Sequence, residues 1–340
     1  MTRREVMIDA LEFRRPAYVP WACRLTLQCA ERLKEYLAGQ DLDLFMDSHL
    51  VRVAAVTGQY LKSNPMHYWD VYGVLWDRSI DRDIGVVIDY PLKRPEDLDR
   101  YDWPDASRDD WYNDIPEQLA AGPDRLWMFA VNLSLFERAW TMRGMESLLM
   151  DMLERPEWVE RLLAKITEHN LVQIRRALSL GVDAIWFGDD YGMQSGLIMG
   201  LKHWRHFLKP CLARMFAPVR EAGKYVFLHS CGNVTELFDD LAEIGLNCFN
   251  PFQPEAMDIV ALKKAYHGRL SFYGGLSIQR TLPFGSSEDV QCETRQLLAM
   301  GREGGFIFAP SHAVPRDVPP EKLAVMMEVL RSQPGSPQLD

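Results

Sequence analysis

The sequence predicts a closed (β/α)8 barrel of the TIM type, and three observations predict it. Short apolar runs of strand length recur down the chain, amphipathic helices ending at glycine separate the later ones, and the glycine-rich fingerprint of an open dinucleotide-binding sheet is missing. Eight runs read as buried parallel strands: Val19–Cys23, Leu42–Met46, Leu126–Val131, Ala184–Phe187, Tyr225–Leu228, Cys248–Phe249, Leu270–Tyr273 and Phe306–Ala309. With 340 residues, 47% of them apolar, the chain can bury one large core, so a single domain is expected over residues 1–330. Residues 331–340 contain turn formers and little to bury, and read as a loose tail.

Taken in order, Met1 to Phe13 interleaves Glu5, Asp9 and Glu12 with apolar residues and reads as a first helix rather than a secretory leader. After the first two strand candidates, residues 51–101 crowd Tyr68, Trp69, Val71, Tyr72, Val74, Leu75 and Trp76 ahead of an expected hairpin at Ile80–Ile88. This stretch is expected to be an elaboration packed on the barrel mouth. From Leu126 onward strand and helix alternate. The clearest helix opens at Pro156, carries Val159, Leu162, Leu163, Ile166 and Ile174 as its apolar stripe, and stops at Gly181. Others are expected at Thr235–Ile244 before Gly245 and from Ser287 to Met300 before Gly301.

A formal charge of −10 with no lysine or arginine run argues against nucleic acid or anionic membrane as partners. No stretch approaches the roughly 18 unbroken apolar residues of a membrane span. Six cysteines without regular spacing suggest reduced thiols, so a soluble cytoplasmic protein is expected.

The residues that carry chemistry lie at strand ends. In KYVFLHSCGNV, His229 and Cys231 stand two apart at the end of a strand, so imidazole and thiol leave on one face, toward the mouth of a parallel barrel. GGFIFAPSHAVPRDVPP places His312 in a comparable position after the last strand. Neutral imidazole and thiolate suit zinc, and three protein ligands with one open position is the pattern of a catalytic site, so His229, Cys231 and His312 are the expected ligands. Asp189 and Asp190 in GDDYGMQSG, and Glu137 in NLSLFERAW, are the candidate catalytic carboxylates, as a fourth ligand, an orienting acceptor or a substrate contact. Salt bridges to Arg138 or Arg143 are the structural alternative for Glu137. Asn250, Gln253, Gly274 with Gly275, and Trp76 are candidate substrate-binding positions. His203 and His206 read as outer-helix residues, and Cys211 and Cys292 as structural.

These motifs together resemble the uroporphyrinogen decarboxylase superfamily. The resemblance runs through LFERAWTMRGMESLLMDML, GDDYGMQSGLIM, FLHSCGNV, FYGGLSIQRTLPFGSSEDV and FAPSHAVPRDVPPEKL, and is closest to the superfamily's corrinoid-linked methyltransferases. It implies a (β/α)8 barrel. The decarboxylases open with an Arg-Gln-Ala-Gly-Arg loop for porphyrinogen carboxylates, whereas this chain has WACRLTLQCAERL and no counterpart of their central aspartate. The methyltransferases carry zinc on His-x-Cys and a cysteine in a distant Ala-Pro-Gly-Cys-Gly loop; HSC matches at His229 and Cys231, and APSHAV puts His312 at that cysteine's place. The resemblance therefore implies zinc and a corrinoid (cobalamin) carried by a partner protein. The expected activity is methyl transfer, with O-demethylation of a small methoxylated molecule favoured over transfer to a thiol or folate acceptor, and a homodimer is compatible with it. Two alternatives are a metal-free decarboxylase of another acidic substrate and a non-catalytic binder of a cobamide or its carrier.

Overall fold

The computed structural model describes residues 1–56, 66–80 and 82–337. Residues 57–65 and 81 of the expected elaboration and hairpin, and 338–340 of the expected tail, lie outside the described residues.

The frame is a curled sheet of seven parallel strands lying side by side in chain order. They are β1 (Leu50–Val53), β2 (Leu126–Val131), β3 (Ala184–Gly188), β4 (Tyr225–His229), β5 (Cys248–Phe252), β6 (Ser271–Leu276) and β7 (Phe306–Pro310). Strands β2, β3, β5, β6 and β7 are buried along their whole length, as expected of strands covered on both faces. The stretch around Trp21 meets both edges of this sheet. Phe308 on β7 donates to the Pro20 carbonyl and accepts from the Ala22 amide, while the His49 amide, just before β1, donates to the Trp21 carbonyl. The Trp21 ring is fully buried, 4.1 Å from the His49 ring, and its Nε1 donates to the Met46 carbonyl.

One expected strand is a helix. Leu42–Met46 is helical because Asp41 caps it, its carboxylate accepting from the Leu44 amide at 2.8 Å, and Asp47 ends it in the left-handed region at φ 42°. Five apolar residues cannot by themselves distinguish a strand from a helical turn, and the cap decides. The strand that was expected there is β1, a few residues on. The hairpin is also displaced: Leu75–Asp77 pairs antiparallel with Val86–Asp89 on one side and His67–Trp69 on the other.

The helices follow their sequence signals. Thr2 and Glu5 form a capping box for Arg3–Leu11, Pro156 opens Pro156–Ser179, and Ser286 with Asp289 caps Ser287–Gly301. The stretch from Thr235 starts as one 3-10 turn and continues as Phe238–Glu243. No described helix is long and apolar enough to cross a membrane.

Strand alternation sets up the site. Ala22, Leu50, Met128, Trp186, Phe227, Cys248, Tyr273 and Ile307 pack together inside the curl, apart from the larger core beneath the helices. Residues two further along a strand face the same way one layer nearer its C-terminal end. Arg24, Arg52, His229 and Asn250 occupy those positions, with His229 in register with Gly188 on one side and Asn250 on the other.

Candidate metal centre

His229 ends β4, Cys231 follows two residues later, and His312 lies just beyond β7. Their ligand atoms all fall within 4.8 Å of one another. His229 Nε2 and Cys231 Sγ are 3.5 Å apart, and the two imidazole rings meet edge to face at 5.3 Å. Zinc bonds of about 2.0–2.3 Å in a tetrahedron separate donors by roughly 3.5 Å, so these three atoms fit such an ion with small side-chain rotations.

The histidine is oriented from behind. His229 Nδ1–H donates to Asn250 Oδ1 at 2.6 Å, and the Asn250 amide nitrogen donates to the Tyr273 carbonyl at 2.9 Å, which fixes the end of Asn250 that faces the ring. The proton is therefore held on Nδ1 and the Nε2 lone pair faces Cys231. Burial draws the pKa of both His229 and His312 down to about 4, with the neighbouring His229 disfavouring charge on His312 and Arg24 adding to both shifts. Both imidazoles are thus neutral, the form that binds metal. Burial, with Asp190 beside it, pushes the Cys231 thiol upward.

The Cys231 loop is fastened at the backbone. Asp190 accepts from the Cys231 amide at 2.8 Å, Gln253 Oε1 from the Gly232 amide at 2.9 Å, and the Asn233 amide donates to the Met193 carbonyl at 2.8 Å. Gly192 and Gly232 meet backbone to backbone. A Cβ on Gly232, whose φ is +82°, would sit 2.5 Å from the Gly192 carbonyl carbon, and one on Gly192 would sit 2.6 Å from the Cys231 oxygen.

The three carboxylates divide into two roles. Asp189 is buried and accepts from the Phe136 amide at 2.9 Å, the Glu137 amide at 2.6 Å and the Tyr191 hydroxyl at 2.8 Å, closing the N-terminus of the helix Phe136–Arg143. Burial lifts its pKa to about 7 against these bonds. Asp190 faces the cluster, its Oδ1 3.8 Å from His229 Nε2. Burial and then the charges of Asp190 and Asp189 raise Glu137 well above the ordinary carboxyl range. The alternative ion pairs for Glu137 do not form, since Arg138 pairs with Asp70 and Arg143 with Asp151.

The structure thus brings His229, Cys231, His312, Asp190, Glu137, Asn250 and Gln253 together. Asn250 and Gln253, expected to touch substrate, spend polar atoms on His229 and on the Gly232 amide. Trp76 and Gly274 stand apart. Trp76 is buried with Nε1 donating to Asp70, the partner of Arg138, and so braces the small antiparallel sheet. Gly274 makes no room for a substrate: a Cβ there would lie 2.6 Å from the Phe252 amide, so it serves the approach of β5 and β6. His203 and His206 contact the Met199 carbonyl and Glu160 on an outer helix. Two surface cavities, of about 780 and 500 Å³, share no residue with the cluster.

Sequence reasoning missed Tyr191 and Ser230. Ser230 Oγ accepts from the Tyr191 amide at 2.9 Å, tying the two site loops together. It also missed Arg52, although a charge inside the apolar run LVRV was a visible signal.

A family model described as uroporphyrinogen decarboxylase (URO-D) matches residues 77–333. The chain belongs to this family. No curated protein matches the sequence of this URO-D family member. Among solved structures, a methyltransferase from Methanosarcina mazei superposes with a TM-score of 0.70 at 17% identity, covering 97% of this chain and 98% of that one. A B12-independent methionine synthase from Shewanella covers 65% of this chain and 66% of its own at 11% identity, with a TM-score of 0.45. The first likeness shows a shared fold over nearly the whole chain.

Proposed function

We propose that the protein is a zinc-dependent methyltransferase that moves a methyl group between a small methoxylated or methylated substrate and a corrinoid protein docked at the barrel mouth. The carrying observation is the convergence of three soft donors from two strand ends, with one histidine held in its metal-binding tautomer by Asn250. The likeness to a solved methyltransferase over 97% of the chain supports the reaction class. The reading includes a single-domain closed (β/α)8 barrel, with the stretch around Trp21 as its eighth stave, in a cytoplasmic protein.

His229, Cys231 and His312 would hold the ion. Bound there, zinc supplies Lewis acidity, which activates a thiol acceptor or draws charge from a departing oxygen. Asn250 orients His229, Asp190 and Gln253 fix the Cys231 loop, and Glu137 holds a proton on its carboxyl for the oxygen that loses its methyl group.

Purified protein should carry about one zinc per chain, lost in C231A and in H312A while each variant stays folded by circular dichroism. Full occupancy in both variants would overturn the ligand assignment. A screen for methylation of a cobalt(I) corrinoid protein against methoxylated donors tests the reaction itself. A second reading, a metal-free decarboxylase of another acidic substrate, draws on the URO-D match and on the half-buried carboxylates Glu137 and Asp190, both shifted upward by desolvation. Stoichiometric zinc argues against it.

A further inference from the structure

We infer that a second site, at the end of the sheet opposite the metal cluster, takes a small molecule bearing a diphosphate group between Arg15, Arg295 and Arg302. It stands apart from the methyltransferase reading and does not depend on it.

The three arginines line one surface cavity of about 500 Å³. Its walls lie where the chain enters strands: residues 15–19 lead into the stretch around Trp21, Arg302 stands between the helix Ser287–Gly301 and β7, and residues 332–334 follow the helix Pro320–Arg331. His229, Cys231 and His312 lie at the other, C-terminal ends of their strands. One helix sets the spacing. Arg295, Leu298 and Arg302 recur at i, i+3 and i+7, and Arg302 keeps helical dihedrals at φ −58° and ψ −30°, so the three share a face. The two arginine stems are then about 10 Å apart along the axis, and both side chains can close on a group lying over Leu298. That span suits two linked phosphoryl groups better than one. Arg15 comes from a separate segment, and this wall is fastened. Gln333 Oε1 accepts from the Val19 amide at 2.9 Å, while its Nε2 donates to the Val19 and Leu330 carbonyls at 3.1 and 3.0 Å.

Three positive charges around one cavity need a reason in a chain with 48 acidic residues against 38 basic ones. Other arginines near the surface have carboxylate partners, Arg14 with Asp9, Arg176 with Asp109 and Arg269 with Asp239 among them. Among the described residues no Asp or Glu lines the cavity and none pairs with Arg15, Arg295 or Arg302; Arg295 has only Gln291 Oε1, at 3.4 Å. The carbonyls that end the helix account for Arg302, but not for Arg295 two turns earlier or for Arg15 on another segment. Guanidinium forks bind phosphoryl oxygens two at a time. A single carboxylate would leave most of this charge unmatched, whereas a diphosphate carries enough for all three groups. Leu298 and Val329 add an apolar surface for an organic body.

The test is calorimetric titration of the full chain with inorganic pyrophosphate and with ADP, at constant ionic strength set by chloride. At least one of the two is expected to bind once per chain. Its affinity should fall about tenfold in R295Q and in R302Q, the effect of losing one charge-assisted hydrogen bond, and several-fold in R15Q, with melting temperatures of the free proteins unchanged. C231A should bind it as the parent does, which separates this site from phosphate capture by a metal at the cluster. Tighter binding of ADP assigns Leu298 and Val329 to the organic body; otherwise the phosphates alone are recognised. No binding of either probe, unchanged affinity in both R295Q and R302Q, or loss of binding in C231A would overturn the inference.

Discussion

At the scale of single residues, the site is a problem of protons. Because burial holds the pKa of His229 and His312 near 4, each imidazole is neutral at neutral pH, with a proton on one ring nitrogen only, whereas the Cys231 thiol, shifted upward, keeps its proton. Metal binding should therefore release one proton per ion, and zinc affinity should rise about tenfold per pH unit between pH 5.5 and 8. Chelator competition measures this. A slope of two or three protons below pH 6.5 would mean that the histidines are charged in the free protein. Asn250→Ala should weaken zinc binding about 10–100-fold with little change in stability, since it frees the His229 ring without touching a ligand atom. The cluster of His229, Cys231 and His312 was legible in the sequence because strand alternation places His229 and Cys231 on one face. The work of Asn250 was not, because a strand-end amide looks the same whether it faces a ligand or a histidine, and only the Tyr273 carbonyl decides which end turns inward.

At the scale of elements, Asp189 links β3 to the helix Phe136–Arg143 by accepting from that helix's first two amides and from Tyr191. Asp189→Ala should lower the unfolding free energy by about 2–3 kcal/mol in urea titrations, since it strands buried donors. It should also loosen Glu137, whose amide it holds. In sequence Asp189 and Asp190 are twins, and only the direction of chain exit from β3 separates a structural acid from one that faces the cluster. The helix Leu42–Met46 failed for a similar reason. Its apolar run is too short to show a period, and the deciding signal was the Asp41 cap beside it. The long helix Pro156–Ser179 was readable because its stripe spans several turns.

At the scale of the whole molecule, the stretch around Trp21 touches both margins of the seven-stranded sheet through Phe308 and His49. Trp21→Ala should therefore cost about 3–5 kcal/mol, at the upper end for an aromatic truncation, and should expose both sheet margins together in hydrogen exchange. Loss of protection at one margin only would show that the stretch does not couple them. Six of the eight apolar runs became strands β2 to β7, because a strand covered on both faces reads as a continuous apolar stretch. The runs did not reveal that the first of them makes isolated bridges rather than a full ladder, which depends on pairing partners nearly 300 positions away.

The meeting of Gly192 with Gly232 has a practical consequence for anyone reshaping this protein. The antiparallel ribbon of Gly192–Met193 and Gly196–Leu197 and the turn bearing the sulfur donor behave as one casting, with no slack for a methyl group between them. Widening the rim there to admit bulkier molecules would shift the thiol as well, so broadened selectivity and tight zinc retention should trade off in any library built at those positions.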